Sequence, residues 1–208
     1  ANLFNALTGH SGKVKYGSLL VSYGKNGTMR EEILRYINEE INQHNINGNG
    51  YIAFKMNQLV DPDIIKALYF ASKCGVKIDL QVRGICSLRP GIIGVSDNIT
   101  CTSIVGRFLE HSRIYFFNNN GEELLLTGSA DFMPRNLNKR VEILVPIKDP
   151  NIKEDMLRIL RIHLVDNVNS RKLLSDGTYI RVEPGENKIC DSQKWMIDHR
   201  GEWNAKHP

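Results

Sequence analysis

Between Gly106 and Asn136 the chain reads GRFLEHSRIYFFNNNGEELLLTGSADFMPRN. This stretch gathers the side chains that phosphate chemistry uses. His111 offers an imidazole that can donate, accept or move a proton near neutral pH. Arg113, two residues on, offers a planar fork that matches paired phosphate oxygens. Farther along, Gly128-Ser129-Ala130-Asp131 supplies a hydroxyl, a carboxylate and a turn whose amides can hold an anion. Arg135 and Asn136 follow closely. Brought together, these groups would form a phosphate-handling constellation.

Their convergence requires a hairpin. Ile114 to Phe117 and Leu124 to Leu126 are short apolar runs joined by an Asn-Asn-Asn-Gly turn, a pattern that predicts two antiparallel strands. Strand side chains alternate with period 2, so His111 and Arg113, at the start of the first strand, are expected on one face. The return strand carries Gly128, Ser129 and Asp131 back beside them. Lys139 and Arg140 add positive charge. Val141 to Ile147 predicts a further strand, with Glu142 placed to pair one of the arginines.

A second group of residues depends on a βαβ unit. Tyr51 to Met56 predicts a strand that leads into Asn57. Asp61-Pro62 then opens a helix as N-cap and first residue, with a buried stripe of Ile64, Ile65, Leu68 and Ala71. Val76 to Val82 predicts the next strand, parallel to the first. In open α/β sheets ligands gather at the carboxyl ends of strands. Asn57 and Arg83 fall there, and Arg89-Pro90-Gly91 lies in the Gly/Pro-rich loop that follows. A lone arginine at a strand end is commonly a solvated surface group, and two in one such loop leave an anion site and a paired surface equally open.

The flanking segments are expected to complete an α/β fold. Leu19 to Val21 and Ile99 to Val105 predict strands. Thr28-Met29-Arg30-Glu31 fits a capping box for a helix running to about His44. Asp149-Pro150 opens another helix, whose apolar row includes His163 as a core-edge residue. Arg171 to Val182 predicts a hairpin around Ser175-Asp176-Gly177, and Ser192 to Trp203 a short amphipathic helix.

His-x-Arg followed by Gly-Ser-x-Asp is a variant of the His-x-Lys and Gly-Ser-x-Asn half-site of the phospholipase D superfamily. Within it the chain resembles the C-terminal catalytic region of bacterial polyphosphate kinase. The matching stretches are Ala1 to Asn5 with Leu7-Thr8-Gly9, Lys55-Met56-Asn57 with Leu59 to Pro62, and Val82 to Cys86 with Leu88 to Gly91. The Gly106 to Asn136 stretch and Arg140-Val141-Glu142 complete the set. The resemblance thins beyond about Asn169.

This resemblance implies an α/β fold: a mixed β-sheet flanked by helices, a phospholipase D-like domain with a small C-terminal appendage. The expected division is residues 1–12 as the end of a preceding helix or linker, 13–166 as the catalytic domain and 167–208 as an extension. It implies reversible transfer of the ATP γ-phosphate to polyphosphate through a phosphohistidine on an upstream domain, whose Lys-Thr-His-Ala-Lys type motif is absent from this chain. His111 would then be the second histidine of a tunnel shared by two facing domains. Arg83 and His111 take the positions assigned to ATP contact. Asn57, Arg89, Arg113, Ser129, Asp131, Arg135, Asn136 and Arg140 would line the anion path. Mg²⁺ would arrive with the nucleotide, with no metal ligands in this chain. The implied partners are ATP or ADP, polyphosphate, the upstream domains of one full-length chain and further copies of that chain, but not nucleic acid. Asp131 and Arg113, in place of Asn and Lys, favour the kinase branch. Two other readings stay open: a half-site of a phosphodiesterase or nuclease, and a non-catalytic polyanion-binding module.

Composition is compatible with these readings and selects none. Of 208 residues, 41% are hydrophobic and 24% charged, and the net charge is +4, so any anion site must come from local clustering. Cys74, Cys86, Cys101 and Cys190 form no CxxC pair and are expected as free thiols in a reducing cytoplasm. No apolar run approaches the roughly 20 residues that span a bilayer. A cytoplasmic location is expected, with association at the inner membrane face left open. Asn2 to Leu7 reads as the last turns of a helix ending at Gly9, so a fragment of a longer protein is expected, one that folds alone but extends polyphosphate poorly.

Overall fold

The computed structural model describes residues 18–22 and 28–200, together with Phe4, Asn5 and Thr8. The helix expected over Asn2 to Leu7 falls largely outside these residues. The strands are β1 (Leu20–Ser22), β2 (Tyr51–Met56), β3 (Lys77–Val82), β4 (Ile99–Ile104), β5 (Ile114–Phe117), β6 (Leu124–Gly128), β7 (Glu142–Pro146), β8 (Ser170–Leu173) and β9 (Tyr179–Arg181). The helices are α1 (Met29–Asn47), α2 (Pro62–Lys73), α3 (Pro134–Asn138), α4 (Pro150–Leu164) and α5 (Ser192–Asp198).

One sheet takes all nine strands in the order β1-β7-β6-β5-β2-β3-β4-β8-β9. Strands β2, β3 and β4 are parallel, and the remaining pairings are antiparallel. The fold is therefore the expected mixed sheet flanked by helices. The predicted βαβ unit forms as β2–α2–β3. Asp61 caps α2 by accepting from the amides of Asp63 and Ile64 at 3.2 Å, and Pro62 sits in the first turn, where a missing N–H costs nothing.

Period 2 sorts the core into two layers. Ile52, Phe54 and Met56 of β2, with Tyr115 and Phe117 of β5, face the side covered by α1 and α2, where they meet Ile33, Ile37, Ile64 and Leu68. Ala53, Ile114, Phe116 and Leu125 face the other side and pack on Leu157 and Leu160 of α4. This second layer also takes buried polar groups: Lys55, Gln81 and His163 are each at most 5% exposed. The Gln81 amide donates to the His163 carbonyl at 3.2 Å.

Two local expectations are corrected. Thr28 precedes α1 but makes no side-chain cap; its φ/ψ of −104°/−7° is already helical, whereas a capping hydroxyl needs extended backbone. Helix α1 runs on past His44 to Asn47, because Gly48, at φ +70°, is the first residue free to adopt the left-handed stop. The predicted hairpin forms as β8–β9, and β8 also pairs antiparallel with β4 and extends the sheet. The expected C-terminal helix is seen as α5, which ends at Asp198 with His199 as its C-cap, and Gly201 to Trp203 of the predicted span lie outside the described residues.

Candidate active site

The site lies along the sheet edge formed by the carboxyl ends of β2 and β3. Met56 pairs with Val82, Lys55 with Ile114, Ile114 with Thr127 and Gly128 with Leu144. These registers bring Asn57, Arg83, Arg113 and Ser129 to one edge, as the hairpin and the βαβ unit require. Gly128 is obligatory: a Cβ there would sit 2.0 Å from the Ile143 carbonyl oxygen, so only glycine lets β6 and β7 close.

Asp131 is the hub. Its carboxylate accepts from the Asn57 backbone amide at 2.7 Å and from the Asn57 side-chain amide at 3.3 Å. On its other side Arg113 donates Nε and Nη2 to the two oxygens, both at 3.1 Å. Such a side-on fork fixes orientation as well as charge. Arg83 in turn donates Nε and Nη2 to the Asn57 Oδ1, at 3.1 and 3.0 Å. The resulting chain, Arg83–Asn57–Asp131–Arg113, holds two guanidiniums against one carboxylate and so keeps a net positive charge at the strand ends. Tyr115, fully buried, donates its hydroxyl to the Ala130 carbonyl and sets the backbone just before Asp131.

His111 is not in the strand. It lies three residues before β5, exposed, on the loop of residues 105–113 that crosses from β4 to β5 over the ends of β3 and β2. Its carbonyl accepts from Arg113 Nη1 at 3.2 Å, while its ring has no hydrogen bond or ion pair among the described residues. A shared strand face therefore does not align it with Arg113; the loop does. Ser129 is exposed, and its hydroxyl accepts from the Ile143 amide at 3.3 Å.

Other expected residues scatter. Glu142 does not pair an arginine: its carboxylate accepts from the Asn136 side chain, and both are buried. Arg135 and Arg140 are exposed around α3 and linked through backbone, Arg140 N–H to the Arg135 carbonyl at 3.0 Å. Arg89 leaves the Arg83 group altogether. Its loop runs back toward the start of β4, and its guanidinium packs on Gly177 in the β8–β9 turn.

Sequence reasoning missed a second polar cluster directly behind the site. Glu110, the neighbour of His111, accepts from Lys55 Nζ at 3.0 Å, His163 Nε2 at 3.0 Å and Gln193 Nε2 at 2.8 Å. Burial alone would push the Glu110 carboxyl up, but His163, Lys55 and Gln193 outweigh it and hold it down at about 2. Burial draws the Lys55 ammonium below the usual lysine range; Glu110 opposes this, while Arg83 and Arg113 add to it. One signal for this cluster was legible: Lys55 falls on the inward phase of an otherwise apolar strand.

Among the described residues no three His, Cys, Asp or Glu side chains group as a metal site. No helix among them is long and apolar enough to cross a membrane.

Similar proteins agree with this architecture. A polyphosphate kinase of Synechocystis is 50% identical over 193 residues, covering 93% of this chain and 26% of its own length. One from Bacillus cereus is 48% identical over 192 residues, covering 92% and 27%. The chain thus spans about a quarter of the curated relatives it matches. The crystal structure of polyphosphate kinase from Porphyromonas gingivalis superposes with a TM-score of 0.90 at 37% identity, over 98% of this chain and 31% of that one. A phospholipase D family member from Salmonella typhimurium shares the fold at a TM-score of 0.55 and 20% identity, over 76% of this chain and 99% of that one. The family described as "Polyphosphate kinase C-terminal domain 2" matches residues 19–193. The chain therefore belongs to the polyphosphate kinase family, as a C-terminal domain of that kind.

Proposed function

We propose that this chain is the C-terminal catalytic part of a longer polyphosphate kinase and forms one half of its phosphoryl-transfer site. In this reading a histidine upstream of the chain attacks the γ-phosphorus of ATP. The P–O bond to ADP breaks and a P–N bond forms. A terminal oxygen of polyphosphate then displaces that histidine, and the same steps run in reverse.

His111 donates a hydrogen bond to the bridging oxygen as it gains charge on leaving, and the same hydrogen bond holds that oxygen when it attacks in the reverse direction. Arg83 binds nonbridging phosphate oxygens with the donor that Asn57 leaves unused, Nη1. Arg113, already committed to Asp131 and the His111 carbonyl, orients this group and adds to its field. Ser129, Arg135 and Arg140 extend the cationic path. Asn57, Asp131 and Asn136 hold the frame. Little covalent work is asked of this half-site; positioning and charge neutralisation carry phosphoryl transfer. Mg²⁺ has no set of ligands among the described residues. It would enter bound to nucleotide phosphates, where it neutralises their charge.

The observation that carries this reading is the Arg83–Asn57–Asp131–Arg113 chain together with the exposed imidazole of His111, which has no partner among the described residues. Calorimetric titration of the chain with ADP, a short polyphosphate and a short DNA duplex, at one physiological salt concentration, tests it. Nucleotide or polyphosphate should bind, and Arg83→Ala and His111→Ala should each weaken binding about tenfold, as loss of a charge-assisted hydrogen bond does. Tighter DNA binding, or indifference to both substitutions, would overturn it. The chain alone should extend polyphosphate poorly, because the attacking histidine lies upstream.

A further inference from the structure

Glu110 stands between a site and a scaffold. Its carboxylate is held by three residues from three elements: Lys55 of β2, His163 of α4 and Gln193 of α5. None of these lies in the Arg83–Asn57–Asp131–Arg113 chain. All three are buried, at 2%, 5% and 6% exposure. Gln193 does more than meet Glu110. Its Oε1 accepts from the Phe108 amide at 2.9 Å, and its Nε2 donates to the Phe108 carbonyl at 2.8 Å. Gly106 is pressed against the same amide: a Cβ there would lie 2.6 Å from Gln193 Oε1. His163 is anchored in turn, with Nδ1 2.7 Å from the Ile159 carbonyl oxygen.

The loop of residues 105–113 is thus clamped at Phe108 and Glu110, and His111 is the next residue. Phe108 and Leu109 are 48% and 69% exposed, so apolar burial does little to hold this stretch. Burying a lysine and a carboxylate is costly unless each is matched. Here the matched groups all converge on the one loop that presents the imidazole.

We propose that Glu110 is a positioning residue for His111. Through Lys55, His163 and Gln193 it makes the C-terminal segment part of the transfer site without touching substrate. This rests on the phosphoryl-transfer reading above. Gln193 and the end of α4 set the height and direction of the His111 backbone, and Arg113, bonded to the His111 carbonyl, holds its other side. Helix α5 is itself fixed from behind. Buried Asp166 accepts from the Ser192 amide at 2.8 Å and the Ser192 hydroxyl at 2.6 Å.

The test is a double-substitution cycle in the full-length kinase that carries this chain, read as ATP-dependent polyphosphate synthesis at 25 °C. Glu110→Gln and Gln193→Ala should each lower kcat about 10- to 100-fold, the scale of an ångström-sized misplacement, with KM for polyphosphate within about twofold. In a His111→Ala background the same changes should cost nothing further, because the group they position is gone. A loss that persists in that background, or a raised KM with unchanged kcat, would overturn the proposal. Gln193→Ala leaves every charge in place and guards against misfolding of Glu110→Gln. Should the unsubstituted enzyme make no polyphosphate, the functional reading fails instead. The clamp is then judged alone, by the His111 ring resonances of the histidine-labelled chain. They should shift or broaden in Gln193→Ala, and unchanged resonances would dismiss the clamp.

Discussion

At the residue scale, Asp131 is the group on which most depends. Four donors converge on its carboxylate: the Asn57 and Gln58 amides, the Asn57 side chain and the Arg113 fork. Removing it strands a half-buried guanidinium and two backbone N–H groups. Asp131→Ala should therefore lower stability by about 3 kcal/mol or more, read from the urea midpoint, because a broken buried pair leaves an uncompensated charge. Asp131→Asn can keep one oxygen for the two backbone amides and Arg113 Nε but loses the charge and the second acceptor, so its cost should be smaller. Equal costs would mean that Arg113 relaxes into solvent. Arg83 differs in kind. One oxygen of Asn57 takes two of its donors, so Arg83→Ala should spare the urea midpoint while weakening anion binding.

At the scale of elements, the site needs the closure of β6 on β7 and the capped start of α2. Gly128→Ala drives a methyl into the Ile143 carbonyl, and the Ser129 amide that bonds the same carbonyl at 3.1 Å must move with it. A cost of about 2–3 kcal/mol is expected, with amide exchange accelerated first at Ser129 and Ile143. Helix α2 begins at Asp61, whose carboxylate also takes a 2.6 Å ion pair from Arg30 of α1. The Val60 and Asp61 amides bond the Phe132 carbonyl, at 2.8 and 2.9 Å, one residue past Asp131. The cap, the helix pair and the hub are one connected structure.

At the scale of the whole molecule, the thin α4 layer makes stability depend on pH. The folded Glu110 carboxyl is held at about 2, against an ordinary value of 4.5. A group depressed on folding adds stability above its unfolded value and loses it as pH falls through its folded value. The contribution should be complete above about pH 5 and fade toward pH 2, with an upper limit of about 3 kcal/mol. Urea unfolding of the unsubstituted chain and Glu110→Gln at pH 7 and pH 3 checks this. The gap between them should narrow at the lower pH, and a constant gap would mean that Glu110 carries no depressed titration.

Much of this molecule follows from short-range sequence signals. Local rules laid down the βαβ unit, the Asp61 and Asp149 caps, the Asn/Gly hairpin and the order of the site residues, and the His-x-Arg and Gly-Ser-x-Asp pattern pointed to the family. These features depend on residues a few positions apart, which periodicity and turn chemistry report directly. Which of the polar side chains meet depends on how the chain packs. Lys55, Glu110, His163 and Gln193 come from four separate segments. Arg89 departs to the β8–β9 turn, Asn136 takes Glu142, and β8 joins β4. Apart from Asn136 and Glu142, six residues apart, these are long-range pairings, and in all of them burial and register choose the partner, because charge type alone does not specify which group lies within 3 Å.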